Sequence, residues 1–186
     1  MVISPFSASP KGGFTLVEMM IVVSIIVILS AILIGYSSQS SKQLLLTSTE
    51  AKILSLISRA KFLSIETFFA GASGVGPQIC AYGVKVDRNA QEIFIFQDRA
   101  SECPANDRYD SDNDLKLDGE VNKIVLDSAV VRVTDETSLS DLVFIPPDPD
   151  IEINDGQTSA SVIVELADGS GDFTITVNNV GQIKAE

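Results

Sequence analysis

Histidine and tryptophan are absent from this 186-residue chain, cysteine occurs only twice, and 25 acids outnumber 13 bases. Without histidine there is no imidazole general base, no Ser-His-Asp triad and no His-ligated zinc. The net charge of −12 disfavours nucleic-acid binding, because neutralising phosphates takes clustered Lys and Arg. Carboxylates alone could still perform acid–base work, but no spacing in the sequence sets two of them up for it. The composition argues against an enzyme.

Charge is also missing locally. From residue 14 to residue 34 the chain reads FTLVEMMIVVSIIVILSAILI, with Glu18 as its single charged side chain. That is the roughly 20 apolar residues a helix needs to cross a bilayer core. A secretory signal has a shorter apolar stretch followed by a small-residue cleavage site. Here the basic, glycine-ending segment Lys11-Gly12-Gly13 comes first, and the apolar run is full length. A base on the N-terminal side predicts a cytoplasmic N-terminus and a translocated C-terminal part. Glu18 is the anomaly. A carboxylate in a membrane helix costs on the order of 2.5–3.5 kcal/mol and calls for a partner. No Lys or Arg lies between Phe14 and Gly35, so the partner is expected from another chain.

Gly13-Phe14-Thr15-Leu16-Val17-Glu18 with its apolar run resembles the N-terminal signature of type IV pilins and type II secretion pseudopilins. The resemblance implies cleavage between Gly13 and Phe14 by a prepilin peptidase, N-methylation of Phe14, and pairing of Glu18 with the Phe14 amine of an adjacent subunit. It also implies an inner-membrane assembly platform and other pilin or pseudopilin subunits as partners. The protein would be a single-pass cytoplasmic-membrane protein with an extracytoplasmic head, later part of a cell-surface or periplasmic filament. Removing residues 1–13 removes only Lys11, leaving 12 bases against 25 acids, a charge of −13. Gly35 stands where many major pilins carry a helix-breaking proline, and glycine weakens a helix by about 1 kcal/mol relative to alanine.

Beyond Gly35 the chain has no Pro or Gly until residue 71. Ile53, Leu56, Ile57, Ala60 and Leu63 recur at three- and four-residue spacing and mark one apolar helical face. The glycine-rich Gly71-Ala72-Ser73-Gly74-Val75-Gly76-Pro77 reads as a linker, because a phosphate-binding loop needs a strand before it and a helix after it. Strands are expected at 82–86, 92–96, 123–126, 130–134, 142–145, 162–166, 173–177 and 182–185. The expected domains are a leader (1–13), a membrane and polymerisation helix (14–35), its amphipathic continuation (36–69) and a β-rich head (70–186). The fold class is α+β: a long N-terminal helix packed on an antiparallel head. The last 45 residues or so resemble H-type minor pseudopilins, which implies a minor subunit.

Cys80 and Cys103 form an even pair, and an oxidising compartment favours a disulfide between them over two free thiols. Asp110, Asp112, Asp114 and Asp118 fall at positions one, three, five and nine of a calcium loop. Leu115 occupies the place where that loop wants glycine, and Glu120 comes one residue early. The stretch is either a structural calcium site or a solvated acidic loop; no other cofactor is expected. Two functions remain open at this level: a filament subunit that assembles through Glu18, or a monomeric membrane-anchored binding module that uses the same peptidase pathway only for export.

Overall fold

A computed structural model of the chain describes residues 13–70, 78–147 and 150–186. Residues 1–12 of the expected leader, with Lys11, and the glycine-rich segment 71–77 lie outside the described residues, as does the pair 148–149 of the proline-rich break. The contacts divide the chain into two compact units, Met1–Ser41 and Lys42–Glu186.

One helix, α1 (Leu16–Ala70), enters both units and runs on through position 35. Its N-terminal part, described below, is apolar all round. Its later part is amphipathic, and the face marked by the sequence is the buried one: Ile53, Leu56, Ile57 and Ala60 are each at most 3% exposed. Leu63 is only partly buried at the margin of the same cluster.

Among its described residues the head holds ten strands in two antiparallel sheets. They are β1 (Gln78–Asp87), β2 (Glu92–Ala100), β3 (Leu115–Lys116), β4 (Lys123–Val125), β5 (Val131–Val133), β6 (Asp141–Ile145), β7 (Asp150–Ile153), β8 (Ser159–Leu166), β9 (Asp172–Asn178) and β10 (Ile183–Ala185). The first sheet runs β3-β2-β1-β6-β7, with β4 also paired to β2; the second runs β10-β9-β8-β5. Strands β8 and β9 alternate buried and half-buried residues along their length, the mark of a sheet with one face inward. Their inward residues, including Val162, Val164, Phe173 and Ile175, join the helix stripe and Val84, Ile93, Ile95, Leu142 and Phe144 of the first sheet in one core.

The first sheet is covered on both faces. Behind it Ala81, Phe94, Phe96 and Val143 form a second buried cluster, against which Tyr109 and Ile145 pack. Tyr109 meets Phe94 and Phe96 edge-on at 5.1 and 5.3 Å. So β1 and β2 each show a run of consecutive buried residues rather than alternation. The hairpin between them is closed by Asp87, whose Oδ1 accepts the backbone N–H groups of Asn89 and Ala90, both at 3.0 Å. A disulfide joins Cys80 on β1 to Cys103 in the loop after β2, with Cα atoms 5.4 Å apart. Closing a loop of that length stabilises the fold by about 3 kcal/mol in the chain-entropy picture.

The double cover makes Gly83 a packing requirement. It lies across from Phe96 in the β1–β2 register, and a Cβ there would sit 2.4 Å from Phe96 Cζ and 3.0 Å from the Leu142 carbonyl oxygen. Gly83→Ala should therefore lower the unfolding free energy by about 1–3 kcal/mol, as overpacking does. Chemical denaturation of the oxidised chain checks this; an unchanged midpoint would mean that Phe96 can move aside without cost.

Candidate functional site

Gly13, Phe14 and Glu18 sit at the start of α1. Thr15 precedes the first helical residue, and its Oγ1 accepts the backbone N–H of Glu18 at 3.2 Å. Thr15-Leu16-Val17-Glu18 thus has the spacing of a capping box, with the threonine at the N-cap and the acid at the third helical position. The T-x-x-E pattern was legible in the sequence as a cap, a signal the membrane reading of this segment passes over. An acid in the first turn is also favoured by the positive end of the helix dipole. Phe14 is 76% exposed, and no Lys or Arg among the described residues reaches Glu18.

The segment that follows can cross a membrane by length and composition: Leu16–Leu33 has a mean hydropathy of 2.8, and none of it is buried. Its one described hydroxyl contact turns inward, Ser24 Oγ donating to the Met20 carbonyl at 2.8 Å. A helix apolar on every side needs a medium other than water around it.

Comparison with known families matches residues 9–34 to the Prokaryotic N-terminal methylation motif. The chain carries a prepilin-type signature. The match spans the glycine step, Phe14, Glu18 and the apolar run, and supports a pilin-like, membrane-anchored protein processed by a prepilin peptidase. No curated protein and no solved structure matches the chain.

In the head, the acidic stretch is folded on itself. Asp110 Oδ1 accepts the backbone N–H of Asp112 at 3.0 Å, and its Oδ2 accepts the Asn113 side-chain amide at 2.7 Å. These bonds, the backbone one foremost, hold the Asp110 carboxyl below its ordinary range. Asp114 accepts the backbone N–H groups of Arg99 at 2.9 Å and Asp110 at 2.6 Å. Asp112 and Asp118 are exposed. Among the described residues no group of three or more acids or cysteines is placed to hold a metal ion.

Asp114 instead stands against a residue that sequence reasoning missed. Asp98, near the end of β2, is fully buried. Its Oδ2 accepts the Asp107 N–H at 3.0 Å, while its Oδ1 meets no donor. Burial first, and then the Asp114 charge, push the Asp98 carboxyl up to about 7. A protonated Asp98 can donate to the Asp114 carboxylate, which supplies the missing partner. Asp107 is raised as well, by burial and then by the charge of Asp155. Nothing local in Gln97-Asp98-Arg99 signals burial; only the loop after β2, folding back through Asp107 and Tyr109, creates it.

The sign of the consequence is fixed. Between about pH 4 and 7 the folded chain keeps a proton that the unfolded chain has released, so this group lowers stability as pH rises through that window, and the loss levels off above it. Asp98→Asn keeps a neutral donor toward Asp114 and removes the penalty. The unfolding free energy of the variant relative to wild type should climb by up to roughly 4 kcal/mol between pH 4 and 8. Urea denaturation at the two pH values measures it, and a pH-independent difference would show that Asp98 is ionised throughout.

Proposed function

We propose that this chain is a pilin-like structural subunit, cleaved between Gly13 and Phe14, methylated at Phe14 and assembled into a type IV pilus or a type II secretion pseudopilus. One observation carries the reading: the glycine step, aromatic residue and first-turn acid stand in register at the head of a wholly exposed apolar helix, within the matched motif. On this reading the apolar half of α1 sits in the cytoplasmic membrane before assembly, with the N-terminus cytoplasmic and the head outside. Glu18 then takes the Phe14 amine of a neighbour as its cation. That pairing removes the cost of a lone carboxylate in an apolar medium. The likeness of the last strands to H-type pseudopilins supports a minor place in the filament.

Two measurements test this. Mass spectrometry of the chain from cell envelopes should find an N-terminus at Phe14, heavier by one methyl group; a chain that still begins with the leader refutes processing. Glu18→Ala should be processed and membrane-inserted but missing from filaments. Were the variant to enter filaments normally, or the wild type never to enter them, the reading as a monomeric anchored module would stand instead.

A further inference from the structure

The surplus of acid in this chain makes its unpaired bases informative. Lys42, Lys85, Arg108, Lys116, Arg132 and Lys184 each lie against a carboxylate. Lys52, Lys61, Arg88, Arg99 and Lys123 have no such partner among the described residues, and Arg59 donates its Nε–H only to the neutral Asn122 side chain, at 2.8 Å. Of these, Lys52, Arg59 and Lys123 gather along one open groove of about 730 Å³. One wall is the helix face Ser48, Lys52, Ser55 and Arg59, spaced at four, three and four residues so that they stack in a row. The other wall is the segment 120–125, which contains β4. Glu120 is the only acid in the lining, and it pairs with none of the three bases.

A lysine on a short edge strand such as β4 blunts unwanted strand pairing. That role accounts for Lys123 but not for Lys52 and Arg59 on the facing helix. Val121 and Val125 add apolar surface beside the charges, 64% and 65% exposed. A small anion would leave that surface wet, whereas a protein surface would cover it.

We infer that this groove is a docking surface for the carboxylate-rich head of the neighbouring filament subunit. The inference rests on the proposed filament function. Charge complementarity names the occupant: Asp112, Asp118 and Glu136 of this chain are exposed and in no ion pair among the described residues, and a head built on the same plan presents the same kind of face. Lys52, Arg59 and Lys123 then hold carboxylates across the interface, and Val121 and Val125 pack under them. Such pairs set the orientation of association as well as its strength.

Carbodiimide treatment of purified filaments containing the full chain tests this, because it joins a lysine amine to a carboxylate only where the two already touch. The expected products link Lys52 or Lys123 to an Asp or Glu of another subunit. Links from these lysines only to Glu120 of the same chain, or none while other lysines react, would overturn the docking. The double variant Lys52→Glu, Lys123→Glu changes no described contact of the folded head. It should enter filaments at least about tenfold less than wild type, with an unchanged melting temperature. Normal incorporation of this variant while Glu18→Ala is excluded sinks the docking alone. A wild-type chain absent from every filament sinks both the docking and the function beneath it.

Discussion

The head depends on one stripe of the helix. Ile53, Leu56, Ile57 and Ala60 are buried in one cluster with the inner residues of both sheets. Burying the three larger side chains is worth roughly 1.5–3 kcal/mol each, so the stripe supplies several kcal/mol to a fold whose net stability is of that order. Ser64, one turn on and fully buried, adds a hydrogen bond from its hydroxyl to the Phe144 carbonyl at 2.6 Å. Lys42 reaches the turn between β8 and β9, where its bond to Asp168 holds that carboxyl well below the usual range. The first contact is buried and the second exposed, and each ties the helix to one sheet only; the stripe is what the two sheets share.

Covering the first sheet on its second face imposes costs that a one-faced sheet would escape. Phe96 needs the space over Gly83, and the loop that brings Tyr109 onto Phe94 and Phe96 also seals Asp98 away from water. A buried carboxyl without a cation is tolerated only as the neutral acid or with several donors. Asp98 has one backbone donor, from Asp107, and a carboxylate neighbour in Asp114, which favours the proton-sharing form. The same Asp114 holds Asp110 and Arg99 by their backbone N–H groups, so one side chain organises the loop and sets the protonation of its neighbour.

Legibility in the sequence followed burial on one side. Strands β8 and β9 and the helix stripe read cleanly because each has one wet face and a single period. β1 and β2 were found by their apolar runs, but the reason for those runs, a second cluster behind the sheet, depends on a distant loop. β3 and β7 went unread: two residues make β3, and Asp150-Ile151-Glu152-Ile153 looks like the tail of a proline-rich break until it pairs with β6. The four acids at 110, 112, 114 and 118 were legible as a pattern of ligands. In the fold, Asp110 and Asp114 spend their oxygens on amides of the loop itself and of Arg99 on β2, which no spacing rule reveals. Asp98 was hidden for the same reason, since its environment is made by residues that follow it by nine and sixteen positions.

At the N-terminus the local chemistry and the proposed assembly chemistry do not compete. A helix start leaves its first N–H groups without partners, and an acid near them gains from the dipole, so Glu18 has a reason to be in the first turn whatever it later binds. Had its carboxylate been the group that satisfied those amides, a neighbour's amine would have to displace it. Thr15 takes that duty: its hydroxyl receives the Glu18 N–H, and the carboxylate itself has no partner among the described residues. The cap thus lowers the cost of placing a charge at the head of an apolar helix while leaving that charge available. An aspartate or asparagine at position 15 could cap equally well, but an aspartate would put a second negative charge beside Glu18 and divide the attraction for any incoming cation. A neutral hydroxyl at the cap followed by a single acid in the first turn is the arrangement that leaves one site for one positive partner.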